Sequence, residues 1–502
     1  MEIENKIKEL NSIYEIIYEN SLKDINFYNS FMNTLFSELS KKKNFTFLQN
    51  TKLTKDDLIK NINNNVSNLV SFINQLDESK NQDIYNCLSC IFGAFLGDAI
   101  GAYCEFKKPN LDNIKKIFKG KPMFGDDPGQ VTDDSEMAMS SAFALMDNPE
   151  FDDINSDICF YYYGLWHISR PRDEGNTTRA ALKLFNANNY NPEIKNNYEQ
   201  DFSKIKTINY NSLANGFLMR ASPFIVWCYF RFNKQIKKCL KTINNNINSN
   251  DLFNLFHAIK EQARKDNICT HPNDSLSDAQ SLFSIMALGA ICELKPNQIL
   301  NIIQTLLKNN YFNKKGDIGD IKTMIMDELD YYQNDKNNEL SNIKNAFAYF
   351  TNGKKSVVTH MGFYYHAFRL TLYYLYYFDE IQEINNVTKY RTIMNQICAF
   401  GGDTDTNAAI VGTVIGPLVG YKNFGNNDFE TMVSLVPKKR FVYSPSLMVI
   451  YVYFIKDNNN KGKSEKNFLK MFLTLAFKKI DVNNLDDIFT NSSINNNKKE
   501  NK

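Results

Sequence analysis

The sequence predicts an all-α protein, on two observations. Apolar residues recur at three- and four-residue spacing over long windows, and alternating runs of the kind that build half-buried strands are few. Taken in chain order, residues 1–82 show helical spacing, as at Ile13, Ile16, Ile17 and Leu22, with no cluster of candidate catalytic side chains, and are expected to form a helical extension. From 83 to 456 the periodic pattern is nearly continuous and reads as one large helical domain, its clearest helices over Glu136–Leu145, Asp278–Leu294 and Val357–Phe378. Residues 457–502 are expected to add a last helix and a disordered tail rich in Asn and Lys. Three Asn-rich stretches, Asn61–Asn65, Asn244–Asn250 and Asn495–Asn501, hold too little apolar material to pack and read as loops or tail.

Composition narrows the function classes. With 58 Lys and Arg against 56 Asp and Glu, the formal net charge is +2, too small to imply a nucleic-acid or membrane partner by charge alone. The longest clean apolar run, Ala408–Tyr421, is too short for a membrane span and contains Pro417. The first residues show neither a secretory signal nor an Arg-rich transit peptide, so a soluble monomer in the cytoplasm is expected, a nuclear location being compatible. Nine cysteines, an odd number, suit reduced core thiols. Cys87 and Cys90 form a CxxC without a second pair or a nearby His, which argues against zinc.

Two clusters carry the chemistry. Thr132-Asp133-Asp134-Ser135 precedes one helical run and Asp403-Thr404-Asp405-Thr406 precedes another, which puts both at helix N-termini. Capping accounts for one or two such residues. It accounts poorly for four aspartates and three threonines, because gathered carboxylates repel unless they stay solvated or a cation neutralises them. Hard oxygen donors without His or Cys suit magnesium or manganese, and two clusters brought together by the fold would make a two-metal site that positions water and polarises an oxygen-rich substrate.

Glycines recur every fourth residue at Gly93, Gly97 and Gly101 and at Gly412, Gly416 and Gly420, a stripe on each of two helix faces. Glycine costs a helix about 1 kcal/mol per position against alanine, so close packing must offset it.

The ordered motifs GAFLGDAIGAYCEF, PGQVTDDSEMA, GNTTRAAL, NGFLMRASP, THPNDSLSDA and FGGDTDTNAAIVG, spread from about Gly93 to Gly420, resemble those of the ADP-ribosylglycohydrolases. The resemblance implies an all-α fold of that type and two Mg²⁺ ions, with Mn²⁺ as a substitute, held by Thr132, Asp133, Asp134, Asp403, Asp405 and Thr406. It implies catalytic roles for Asp134 and Asp403, and for Glu105 as the carboxylate of a mobile flap over the metals. Asn211, Ser212, Leu213, Ala214, Asn215 and Gly216 match the family's substrate loop, which would wrap the ribose and diphosphate with backbone N–H groups, and His271 matches a substrate-contacting histidine. Arg179 and Arg220 fall in family-like motifs, but arginines within helices of a large α-domain more often form ion pairs or helix-end contacts.

The reaction so implied is hydrolysis at the anomeric carbon of ribose, releasing ADP-ribose from a modified protein or an ADP-ribosyl small molecule. Ser212 stands where arginine-directed relatives tend to carry an acid, which tilts the expected linkage toward an O-linked one. Two other readings stand beside it: a catalytically silent ADP-ribose-binding or structural relative, and a magnesium-dependent phosphatase or pyrophosphatase. The latter places its acids along helix faces more than at helix starts.

Overall fold

The computed structural model of the protein describes residues 55–458, apart from short stretches at 120, 126, 149–151, 187–188, 190–196, 241–248, 309–320, 336, 384–386 and 438–442. The expectations for residues 1–54, for most of Asn244–Asn250 and for the tail lie outside the described residues. Within them the chain is helical, and the one bridge of β type joins Ala214 to Phe363. A single apolar core runs from Val66 to Ile455.

Local sequence explains where many helices begin. Asn155, Asn273 and Asn342 cap the helices Ser156–Ile168, Asp274–Ile291 and Ile343–Thr351 by accepting from backbone N–H groups of the first turn, and Thr388 does so for Lys389–Phe400. Pro296 opens Pro296–Leu307, where its missing N–H costs nothing.

The centre of the molecule is the antiparallel pair Gln82–Gly101 and Thr404–Val419. A Cβ placed on Gly93 would meet the Gly412 carbonyl oxygen at 2.3 Å, one on Gly97 the Ala408 oxygen at 2.3 Å, and one on Gly101 the Thr404 oxygen at 2.3 Å. The glycine stripes are thus a backbone-to-backbone seam. Gly420 departs from the expectation: it ends the helix at φ +79° rather than extending the stripe, and lies against the Tyr85 ring. The helix Gln82–Gly101 has the length and mean hydropathy, 1.4, to cross a membrane, but that stretch is wholly buried inside the protein, as the middle helix of a layered fold must be.

Two further expectations need correction. Asn61–Asn65 is no loop: it lies within the helix Lys55–Gln75, whose Val66, Leu69, Val70 and Ile73 enter the core. The stripe of aliphatic residues outweighs the poor helix propensity of asparagine. This last part of the extension is fixed to the domain, with the Tyr421 hydroxyl donating to the Ile73 carbonyl and the Lys422 ammonium to that of Leu76. The helix expected over Val357–Phe378 begins only at Tyr364. Before it, Gly353 and His360 take positive φ, 76° and 52°, and the chain turns through Ser356–Phe363 to form a wall beside the loop that holds Asn215.

Candidate functional site

Both expected clusters stand at helix starts, Thr132 before Asp133–Asp147 and Asp403 before Thr404–Val419, yet neither residue caps its own helix. The capping role at the first is taken by Asp98, from the glycine-striped helix. Its carboxylate accepts from the Thr132 N–H at 3.0 Å, the Ser135 N–H at 3.1 Å and both hydroxyls. Thr132 is thereby turned inward: its Oγ lies 2.9 Å from Asp98, 3.0 Å from Asp134 and 3.4 Å from Asp405, and its one proton serves one of them at a time.

The seam between the two central helices brings the clusters together. One carboxylate oxygen from each of Asp98, Asp134 and Asp405 falls within a 4.8 Å group, and Asp405 also shares such a group with Glu105 and Asp173. Asp403 accepts from the Asn215 side chain at 2.7 Å, and Thr406 hydrogen-bonds to Asp403 while its N–H donates to Asp405 at 2.9 Å. Asp133 hydrogen-bonds to Asp173. All six residues expected as metal ligands therefore share one cluster, with Glu105 at its side.

Gly401 and Gly402, at φ +73° and +82°, make the turn that delivers Asp403; a Cβ on Gly401 would meet the Lys107 carbonyl oxygen at 2.5 Å. The Glu105 segment is tied to this turn by the Phe106 N–H donating to the Gly402 carbonyl at 2.8 Å and the Gly402 N–H to that of Lys107 at 3.3 Å.

The electrostatics are one-sided. Burial raises the carboxyls of Asp133, Asp134 and Asp405 well above their ordinary range, and neighbouring carboxylates push them further. Glu105 is pushed up to about 9 by burial, then by Asp403 and Asp173. Asp98 rises only to about 6, because the Ser135 and Thr132 donors oppose its burial. Asp134 Oδ1 and Glu105 Oε2 are buried with no hydrogen-bond partner. Acceptors crowded without donors are what a hard cation satisfies, so the residues fit a divalent ion of the magnesium type.

The loop Asn211–Gly216 closes one side. Asn215 donates its N–H to Gly362 at 2.9 Å, Ala214 donates to the Ser212 hydroxyl, and Ser212 donates to Asn209, so these three N–H groups are engaged within the protein rather than open to a diphosphate. Leu213 accepts from the Tyr364 N–H at 3.0 Å, and Asn211 is exposed. His271 has no exposed surface and lies against Gly216, its Nε2 buried without a hydrogen-bond partner. Burial, with the charge of Arg220, keeps it neutral.

The two arginines take the roles expected of structural ones. Arg220 pairs with Asp266, donates to the Gly216 carbonyl at 3.1 Å and lies over the Tyr163 ring. Arg179 pairs with Glu174, which also meets His167, and this pair secures the turn that carries Asp173.

Sequence reasoning missed Asp98 and Asp173. Asp98 had a signal, a lone charge inside the apolar helix GAFLGDAIGAY. Asp173 sits in a charged turn, PRDEGN, where nothing sets it apart.

Residues 80–427 match the family model described as ADP-ribosylglycohydrolase. The chain is similar to a protein of Acanthamoeba polyphaga mimivirus with the provisional name ADP-ribosyl glycohydrolase L543, 25% identical over 341 residues, 66% of this chain and 86% of that one. It is also similar to the ADP-ribosyl-[dinitrogen reductase] glycohydrolase of Rhodospirillum rubrum, 33% identical over 102 residues, 20% of this chain and 34% of that one. Among solved structures, an ADP-ribosylglycohydrolase-related protein complex aligns over 74% of this chain and 99% of its own, at TM-score 0.45 and 15% identity.

Proposed function

Because the chain belongs to the ADP-ribosylglycohydrolase family, we propose that it hydrolyses the bond at the anomeric carbon of ribose, releasing ADP-ribose from a modified side chain, with two divalent cations, Mg²⁺ or Mn²⁺, in the acidic cluster. The observation that carries this reading is the pair of orphaned buried oxygens, Asp134 Oδ1 and Glu105 Oε2, among carboxylates that raise one another's pKa.

Thr132, Asp133, Asp134, Asp403, Asp405 and Thr406 would hold the ions, which when bound supply positive charge to ribose hydroxyls and to water. The protein's own groups do the rest. Asn215 fixes Asp403 and, through its N–H, the wall at Gly362, so ligand and substrate loop share one support. Asp98 holds the start of the helix Asp133–Asp147 so that Asp133 and Asp134 face inward. Glu105 keeps a proton on its carboxyl near neutral pH when no cation is bound. Its carboxylate would take a proton from the attacking water and pass it to the departing side-chain heteroatom, as the water oxygen bonds to the anomeric carbon and the bond from that carbon to the heteroatom breaks. Neither an enzyme-bound sugar nor an organic cofactor is needed.

The tilt toward an O-linked bond rested on Ser212 in place of an acid. Asp173, partly exposed beside Glu105, supplies an acid that a guanidinium could meet, so both arginine and hydroxyl linkages fit the mouth of the site. The nine buried free thiols suit a reducing compartment, and we assign the reaction to the cytoplasm or nucleus.

The test is magnesium-dependent release of free ADP-ribose from arginine-, serine- and ester-modified protein, expected for the wild type and lost in Asp403→Asn with helicity unchanged. Binding of ADP-ribose without release from any of the three would favour a silent relative. Release of phosphate or AMP instead would favour a phosphatase.

A further inference from the structure

Three of the large apolar side chains left exposed among the described residues, Phe106, Leu111 and Met123, lie on the segment that carries Glu105. Phe106 follows Glu105 directly, and the two point opposite ways: Glu105 is 2% exposed among the carboxylates, Phe106 51% exposed. Phe106 reaches this orientation at φ +55°, a left-handed backbone that a bulky residue rarely takes. The hydrogen bond to the Gly402 carbonyl holds it there, and its ring partner is Phe124, edge-on at 6.5 Å. A backbone held in such a conformation to put an aromatic ring into water, one residue from a catalytic carboxylate, points to a ligand for that ring.

The site's own burial says which part of the substrate passes it. The group Asp98, Asp134 and Asp405 is closed on all sides, whereas the group Glu105, Asp173 and Asp405 includes the partly exposed Asp173. The cluster therefore opens toward Glu105 and Asp173, and whatever bears the ADP-ribose leaves past the flap. The loop Asn211–Gly216 borders the same mouth, with the Ser212 hydroxyl 2.8 Å from that of Thr177, just beyond the Asp173 turn.

We propose that Phe106 is a specificity-determining residue: it packs against the polypeptide beside the modified residue and favours an apolar neighbour there. The inference rests on the proposed hydrolase activity and refines its substrate to ADP-ribosylated polypeptide with an apolar flank.

The full-length enzyme with Mg²⁺ is given two modified peptides, at a linkage the wild type opens, that differ only in having Leu or Ser beside the modified residue. The variants are Phe106→Asn, because asparagine tolerates the left-handed backbone and so keeps Glu105 in place, and Phe106→Tyr, which keeps the ring. Wild type and Phe106→Tyr are expected to favour the Leu peptide by about tenfold in kcat/KM, the worth of one partly buried aliphatic contact. In Phe106→Asn the ratio should fall to near one, with inhibition by free ADP-ribose unchanged. A preference that survives in Phe106→Asn, or no preference in the wild type, overturns the inference. So does weakened inhibition by ADP-ribose in Phe106→Asn, since the ring would then serve the adenine. If the wild type releases ADP-ribose from no peptide at all, the hydrolase reading falls and this inference with it; cleavage without flank preference sinks this inference alone.

Discussion

Two of the places where the protein buries carboxylates treat them in opposite ways. Glu328 is 1% exposed, and donors surround it: Arg369 Nε at 2.7 Å, the hydroxyls of Tyr332 and Tyr349 at 3.1 and 2.6 Å, and the Lys355 ammonium at 3.5 Å. The acidic cluster gathers Asp98, Asp133, Asp134, Asp403, Asp405 and Glu105, none of which pairs with a lysine or arginine among the described residues. At Glu328 the counter-charge is part of the chain, and the result is a rigid tie between the helices Ile321–Gln333 and Tyr364–Tyr376. At the cluster the chain supplies no such counter-charge, and the proposed cations would bring it. Burying acid is therefore not the mark of function; burying it without its cation is.

The comparison breaks most visibly at Asp405, the carboxylate common to both groups of the cluster. Asp405→Asn should lower ADP-ribose release by roughly a thousandfold, as loss of preorganised charge in a closed site does. In the cation-free protein the same change should raise the unfolding midpoint, because it removes repulsion. A lower midpoint in EDTA would mean that the cluster is built for stability after all.

Arg369→Met should do the reverse. It strands the Glu328 charge and should cost about 3–5 kcal/mol in urea unfolding, while magnesium affinity by calorimetry stays within error. A matching loss of magnesium affinity would join the two regions into one.

A third break is one of pH. The cluster's folded pKa values lie above their unfolded ones, Asp98 at about 6 against 3.8 and Glu105 at about 9 against 4.5. Between the unfolded and folded values the native state binds more protons than the unfolded one, so the stability of the cation-free protein falls as pH rises from about 4 toward 9. Saturating Mg²⁺ should flatten or reverse this slope, since it competes with those protons. Melting curves across that range with EDTA and with magnesium read both signs.

What sequence could show of this was set by range. TDDS and DTDT announced helix starts, and the four-residue glycine spacing announced a close helix contact, because each is a local pattern with a local cause. Which helices met along the seam, and that Asp98 rather than Thr132 would cap the helix Asp133–Asp147, depended on residues more than thirty positions apart. The helix through Asn61–Asn65 was missed because its asparagines outnumber its apolar residues there, while the stripe that holds it lies just downstream. The Val357–Phe378 expectation overreached because periodicity ran through a turn set by the positive φ of Gly353 and His360. Asp173 reaches the cluster through a turn anchored by Glu174, a contact no spacing announces.

The seam joins the beginning of the family domain to its end: Gly101 faces Thr404, about three hundred residues later. During synthesis, helices from everything in between can form and pack, but the acidic pocket has no second half until Thr404–Val419 has been made. Closing so long a loop is an entropic step that the glycine surface must reward at once, since it has no side chains with which to make a partial contact. The pocket should accordingly be among the last features to acquire its native shape, and a chain that stops short of Thr404 would hold one set of aspartates facing nothing.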